Sequence, residues 1–359
     1  ETASDDTTAA QPAPTAEAPH DTAPEATGEA EPDHWTKRVK LEGSLDTFFS
    51  YNFAGMNRTP SQYRVFDADN ATFNVAYAEL ALSISPAPVG FRLDVGFGPV
   101  ADLTSYDAAD PSAPGISEVL KHFQQAYGSV ALGDTGWVVD AGKFVTNAGA
   151  EVIEARGNWN YSRSILFGFA IPFTHTGLRA GGPVTDTFSL QASLVNGWEV
   201  VHDNNPYKTF GLTGTFTPPT GTTAILTIYS GVEGDETAPW RNLADLVLLQ
   251  KIGDQLTVGV NADYAREGSA SWYGAALMAE YRFAPAFRLA ARVEQFFDPD
   301  GVRGIGTSVS EATLTGAFAV GNHAEVRAEV RADTAVEPLF NSGVDHNQAT
   351  AQLALLAWF

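Results

Sequence analysis

The chain contains no cysteine in 359 residues. That excludes disulfides, thiolate metal sites, cysteine nucleophiles and a lipidated N-terminal cysteine together. It also lacks any run of eighteen apolar residues, the least that a helix needs to cross a hydrocarbon core, so helical membrane proteins are excluded. The first residues, Glu-Thr-Ala-Ser-Asp-Asp, have neither a basic start nor an apolar stretch, so the sequence reads as a processed, mature chain. No Lys or Arg occurs before Trp35, and the stretch is dominated by Ala, Pro, Thr and Glu. It has too little apolar surface to offset the entropy of ordering, so residues 1–36 are expected to form a disordered acidic tail. The formal net charge is -22, and nine carboxylates precede Trp35, which leaves -13 for the rest. Neither part attracts nucleic acid.

What is present is alternation. The mean hydropathy of -0.11 looks like that of a soluble protein, yet a barrel that gives only alternate residues to lipid has the same average. In the last strand, Ala351, Leu353, Leu355, Ala357 and the terminal Phe359 share one face, while Thr350, Gln352 and Trp358 mostly share the other. Ala324, Val326, Ala328, Val330 and Ala332 likewise alternate with Glu325, Arg327, Glu329 and Arg331. One such strand fits a soluble sandwich as well as a membrane barrel. The pattern recurs about sixteen times between Lys37 and Phe359, too often for one sandwich, and predicts an all-β fold: a transmembrane antiparallel barrel over residues 37–359.

Candidate strands fall near 38–53, 73–85, 89–98, 124–132, 136–144, 174–181, 186–196, 208–217, 222–232, 241–250, 254–266, 271–283, 286–297, 309–319, 322–332 and 348–359. Short turns follow the even-numbered strands and longer segments follow odd-numbered ones, as in outer-membrane barrels. An even strand number puts both termini, and the acidic tail with its unknown partner, in the periplasm. On this facing Val260 meets lipid, while Asn261 meets water and should accept an arginine at little cost. Phe97, Tyr264, Tyr281, Phe283, Phe287 and Phe297 lie towards strand ends, where amphipathic rings favour the headgroup level.

Residues 138–179, from Val-Val-Asp-Ala-Gly-Lys-Phe-Val-Thr-Asn to His-Thr-Gly-Leu-Arg, closely resemble the OmpL-like β-barrel porin family. Further blocks resemble it in order: Arg64-Val-Phe-Asp-Ala-Asp-Asn70, Pro88-Val-Gly-Phe-Arg-Leu-Asp94, Val195-Asn-Gly-Trp198 and Phe297-Asp-Pro-Asp-Gly301. The resemblance runs from about residue 44 to Phe359 and implies a porin-like channel in the outer membrane of a Gram-negative bacterium. It implies passive diffusion of small hydrophilic solutes or ions, with outer-membrane lipid and the barrel-assembly machinery as partners and the aromatic Phe359 as the assembly signal. It implies no cofactor and does not name the solute.

The longest ordered-looking connection, Thr146–Pro172, follows the fifth strand, where general porins fold a loop into the lumen. It carries Glu151, Glu154, Arg156 and Arg163 as candidates for a constriction, with apolar Ile165, Leu166, Phe167 and Phe169 to anchor it. The alternative is an external lid or plug. Arg282, Arg288, Arg292, Arg327 and Arg331 fall on the inner face of strands twelve, thirteen and fifteen as candidate pore wall. Either they set up a transverse field against the loop acids, or the interleaved Glu280, Glu294, Glu325 and Glu329 neutralise them. Asp298-Pro-Asp-Gly301 and Glu233-Gly-Asp-Glu236 lack the ligand spacing of a calcium loop and read as acidic turns, so no metal site is expected. No Gly-x-Ser-x-Gly or His-Glu-x-x-His motif is present, so no catalytic residue is assigned. Two other functions stay open: a plugged structural or adhesive barrel acting through its external loops, and a barrel hydrolase.

Overall fold

The structure is a computed structural model that describes residues 35–54, 60–105, 119–203 and 205–359. Sixteen strands close on themselves, each antiparallel to its neighbours in the chain. The first eight are β1 (Val39–Asn52), β2 (Thr72–Ile84), β3 (Val89–Phe97), β4 (Phe123–Ala131), β5 (Val138–Val145), β6 (Thr174–Thr185), β7 (Phe188–Val195) and β8 (Thr209–Phe216). Then come β9 (Thr222–Val232), β10 (Trp240–Ile252), β11 (Leu256–Glu267), β12 (Ala270–Ala284), β13 (Phe287–Phe297), β14 (Ser308–Ala319), β15 (Ala324–Ala335) and β16 (Asn347–Trp358). β1 and β16 pair from Ser44↔Trp358 to Asn52↔Thr350 and shut the cylinder. Closure satisfies every strand's backbone groups within the sheet, the condition for a spanning β structure.

The expected strands therefore exist and pair in sequence order. β6 runs about four residues further than its periodicity indicated, and β15 about three. The tail expectation falls on residues 1–34, outside the described residues; Trp35 and Thr36 belong to a single helical turn, Trp35–Arg38, that leads into β1.

Period 2 decides what faces where. In β15 the buried residues are Glu325, Arg327, Glu329, Arg331, Asp333 and Ala335, and the lipid side takes Ala328, Val330 and Ala332. Two aromatic belts mark the rims. Phe283, Phe287 and Phe318 stack at 5.6 and 4.6 Å near the short turns. Tyr264, Tyr273 and Phe297 follow one another at 6.3 and 4.9 Å near the loop end. At the seam, Phe359 N–H donates to Gly43 O at 3.0 Å and its ring covers Gly43 so closely that a Cβ there would lie 2.2 Å from the ring. A side chain at position 43 would force the terminal ring to shift.

One expectation fails. Asn261 is buried inside the barrel, accepts from Ala150 N–H at 3.2 Å and donates to Asp245 at 2.6 Å, so an arginine there meets packed protein rather than water.

Val260 stands on the lipid face between Leu248 and Leu277. Val260→Arg should lower folding free energy in lipid by roughly 2–4 kcal/mol, with Val260→Leu near neutral. Denaturant titration in bilayers would expose a wrong facing as equal costs for the two.

Candidate functional site

The lumen is divided lengthwise into a filled half and a hollow half. The filler is the segment Thr146–Phe173, which leaves β5 at its loop end, turns inward and lies along the inner face of β10–β15. A non-helical segment at membrane depth needs partners for its backbone groups, and the wall side chains supply them. Gly149 N–H donates to Asp245 at 3.0 Å. Glu329 accepts from Tyr161 N–H at 2.6 Å and Ser162 N–H at 3.0 Å. Glu294 does the same for Ile165 at 2.9 Å and Leu166 at 2.6 Å.

The carbonyls are met by arginines. Arg288 donates to Trp159 O at 2.9 Å, Arg292 to Ser162 O at 2.8 Å, and Arg331 to Arg163 O at 2.6 Å. Arg327 takes Ala155 O at 2.8 Å and Asn160 O at 3.1 Å. The same guanidiniums carry carboxylates: Arg288 pairs with Glu280 and Glu325, Arg292 with Glu151 and Glu311, Arg327 with Glu325, Arg331 with Asp333 and Glu311. Of the four interleaved acids, Glu280 and Glu325 pair with these arginines, whereas Glu294 and Glu329 take backbone N–H groups of the segment and Glu311, Asp333 and the segment's own Glu151 supply the other carboxylates. Arg282 stands apart, half exposed near the short turns and 2.9 Å from Glu280.

The four acid and base positions of the segment divide in the same way. Glu151 is buried, 2.6 Å from Arg292, and accepts Ser164 N–H at 2.8 Å. Arg163 turns into the segment, donating to Tyr161 O at 2.6 Å and packing 5.1 Å over the Phe66 ring. Glu154 and Arg156 point away from the clamp. Glu154 accepts from Gln124 of β4, and Arg156 lies 3.9 Å from Glu42 of β1.

Apolar packing completes the seat. Ile165, Leu166 and Phe167 are buried, each burial worth ~1.5–3 kcal/mol. Leu166 lies over Gly274, where a Cβ would approach it to 2.9 Å. Phe167 packs at 6.2 Å from Phe66 and 5.2 Å from Phe173. Phe169 is only partly buried and faces Tyr63 at 6.0 Å. Neighbouring loops brace the ends. Burial opposes a charge on Asp67, but the Arg64 guanidinium beside it holds that carboxyl below its ordinary range. Burial pushes the Glu199 carboxyl, which accepts Phe173 N–H at 3.0 Å, above its ordinary range against the pull of Arg303.

The hollow half is a chamber of about 480 Å³ open towards the short turns and lined by β1–β9 alone apart from Asn147 and turn residues. Asn147 roofs it, donating to Gln191 and, at 3.3 Å, to Thr213. Arg179 and Asp140 pair across its side at 2.8 Å, the guanidinium 4.9 Å from the Tyr127 ring. Strand alternation alone does not single out this chamber. Its signal was available as Ser, Thr and Gln in place of charges on the inner face of β7–β9.

Among the described residues no three His, Asp or Glu side chains gather in a metal-binding group. Asp298 accepts backbone N–H groups of Arg303, Ile305 and Gly306 at 3.0–3.2 Å, the arrangement of an acidic turn. His175 is packed 4.6 Å from Tyr229 with Nδ1 2.9 Å from Gly197 O.

Arg292→Met should destabilise the barrel by about 3–5 kcal/mol, because Glu151 and Glu311 lose a buried counter-charge. Adding Glu151→Gln should recover part of that loss in a denaturation cycle. A cost under about 1 kcal/mol, as for exposed pairs, would mean that the clamp is wet.

Solved structures with the same architecture include an anion-selective porin from Comamonas acidovorans, at 9% identity and TM-score 0.58 over 89% of this chain and 99% of that one. The channel DcaP of Acinetobacter baumannii aligns at 11% identity and TM-score 0.60, covering 89% and 97%. OmpF of Salmonella typhi, in complex with daunomycin, aligns at 12% and 0.60, again over 89% and 97%. At such identities the likeness is one of fold. No curated protein sequence matches the chain. The family model described as "Putative beta-barrel porin-2, OmpL-like" matches residues 38–359, the whole of the barrel, and the chain belongs to that family of bacterial outer-membrane porins.

Proposed function

We propose that the protein passes small hydrophilic solutes by passive diffusion through the hollow half of the barrel, between the inserted segment and β1–β9. The observation that carries this reading is the division of the lumen. Charge clamps and apolar packing fill one side, while a 480 Å³ chamber of mixed polar and apolar lining occupies the other. Glu154 and Arg156 carry the segment's charges across to β4 and β1, and they set the constriction beside the chamber, where Arg156 faces Glu42 of its lining. Arg288, Arg292, Arg327 and Arg331 position the segment, and Glu151 and Arg163 stiffen it. The short turns, both termini and the acidic tail lie on the periplasmic side, and no catalytic step is required. Phe359 serves the assembly machinery as well as the seam.

A current should appear when the folded chain is added to planar bilayers, and its absence would favour a sealed barrel acting through its external loops. With -13 outside the tail, the pore should prefer cations modestly, more so at low ionic strength. Glu154→Gln should move the reversal potential towards anions, and deleting residues 149–160 should raise conductance. If both variants conduct and select as the parent does, the constriction lies elsewhere in the wall.

Phe359→Asp should reduce the heat-modifiable, folded form in the outer membrane without lowering synthesis, since it removes the ring over Gly43 and the terminal aromatic together. Undiminished folded protein would remove the assembly role.

A further inference from the structure

We propose that the chamber is a binding subsite for an uncharged, polyhydroxylated solute of monosaccharide size. The proposal rests on the channel reading and names its solute class. The side of the chamber formed by β7–β9 and their turns presents Ser189, Gln191, Thr213, Thr215, Thr217 and Thr223. Within β7–β9 no Lys, Arg, Asp or Glu interrupts that strip, which also holds apolar Leu190 and Ile225 and has Asp186 at its edge in the turn before β7, whereas the inner face of β13–β15 is built from charged residues. Gln191 and Thr213 are held by Asn147, and Thr213 also lies 3.2 Å from Thr227, so part of the strip is oriented in advance. Ser189, Thr215 and Thr223 make no side-chain hydrogen bond to another described residue, and their hydroxyls keep both donor and acceptor capacity for a solute.

The opposite side excludes charge without being apolar. Arg179 is 2.8 Å from Asp140, which also accepts Ser129 Oγ–H at 2.6 Å, and the guanidinium is sandwiched 4.9 Å from the Tyr127 ring and 4.5 Å from the Phe144 ring. Arg92 lies 2.8 Å from Asp94. An anion would have to compete with Asp140 for Arg179, and a cation with Arg179 for Asp140. Lys40, Glu42 and Asp186 stand at the open side, and over the whole lining three basic side chains balance three acidic ones. A neutral solute rich in hydroxyls can exchange its water hydrogen bonds for those of the strip with no ion to desolvate. The volume lies within the ~300–1,000 Å³ of small-molecule sites.

The test uses three six-carbon pyranose probes that differ chiefly in charge: glucose, glucuronate and protonated glucosamine. Glucose should interrupt the potassium chloride current in a saturable way and give a binding isotherm by calorimetry on the detergent-folded chain. Glucuronate and glucosamine should do so at least tenfold more weakly. The triple variant Ser189→Ala, Thr215→Val, Thr223→Val should raise the half-saturating glucose concentration roughly tenfold. Thr215→Ser, which keeps the hydroxyl, should leave it within about twofold. Heat-modifiable mobility checks that each variant folds. Glucose binding without current would sustain the subsite and remove the channel. Current without glucose binding or block would overturn the subsite and leave the channel standing, as would equal block by glucuronate. Neither current nor binding would overturn both.

Discussion

Four guanidiniums on two strands, Arg288 and Arg292 of β13 with Arg327 and Arg331 of β15, hold the interior of this barrel in place. Each does two jobs with one planar fork, pairing with wall carboxylates and donating to carbonyls of a segment that has no sheet of its own. Lysine could not substitute, because a single ammonium lacks the fixed set of donors that reaches both kinds of acceptor. The neighbouring carboxylates have a matching double role. Glu294 and Glu329 each accept two successive backbone N–H groups, so the segment is gripped through donors and acceptors alike. Hydrogen bonds to charged groups are worth ~1.5–3 kcal/mol each, against about 1 for neutral ones.

This arrangement resolves two physical conflicts. An irregular chain at membrane depth would leave its peptide groups unsatisfied, and a ring of buried arginines and glutamates would leave its charges desolvated; brought together, each supplies what the other lacks. The result is lopsided. Most of the inward charges are used up on the β10–β15 side, and the space that remains is bordered on the β1–β9 side by hydroxyls, amides, already paired ions and apolar side chains such as Phe91, Leu190 and Ile225.

The wall was legible in the sequence because lipid imposes period 2 on every strand, and the repeated alternation gave strand number, order and facing. The inserted segment was legible as well, through its length and its place after β5. What the alternation could not distinguish was water from packed protein on the inner face. Asn261 and Glu151 read as wet, and both are buried under hydrogen bonds. A signal did exist. In β10, Leu243, Val247 and Leu249 face inward while Leu246 and Leu248 face lipid, so the strand is apolar on both faces, as strands covered on both sides are. The pairing of Arg292 with Glu151, which lies 141 residues away, had no local signature, because any inward acid could have met it.

Chain order gives the clamp a temporal meaning. The arginines of β13 and β15 reach carbonyls 129 to 172 residues earlier in the sequence. A contact cannot form before its later member exists, so the segment after β5 has no native partner for those groups until the C-terminal third of the wall is made and paired. Water solvates its peptide groups in the meantime. Such long sequence separations are the slow part of β folding. The C-terminal strands that shut the seam therefore also supply the side chains that hold the segment in its seat, so closure of the wall and filling of the interior depend on the same part of the chain.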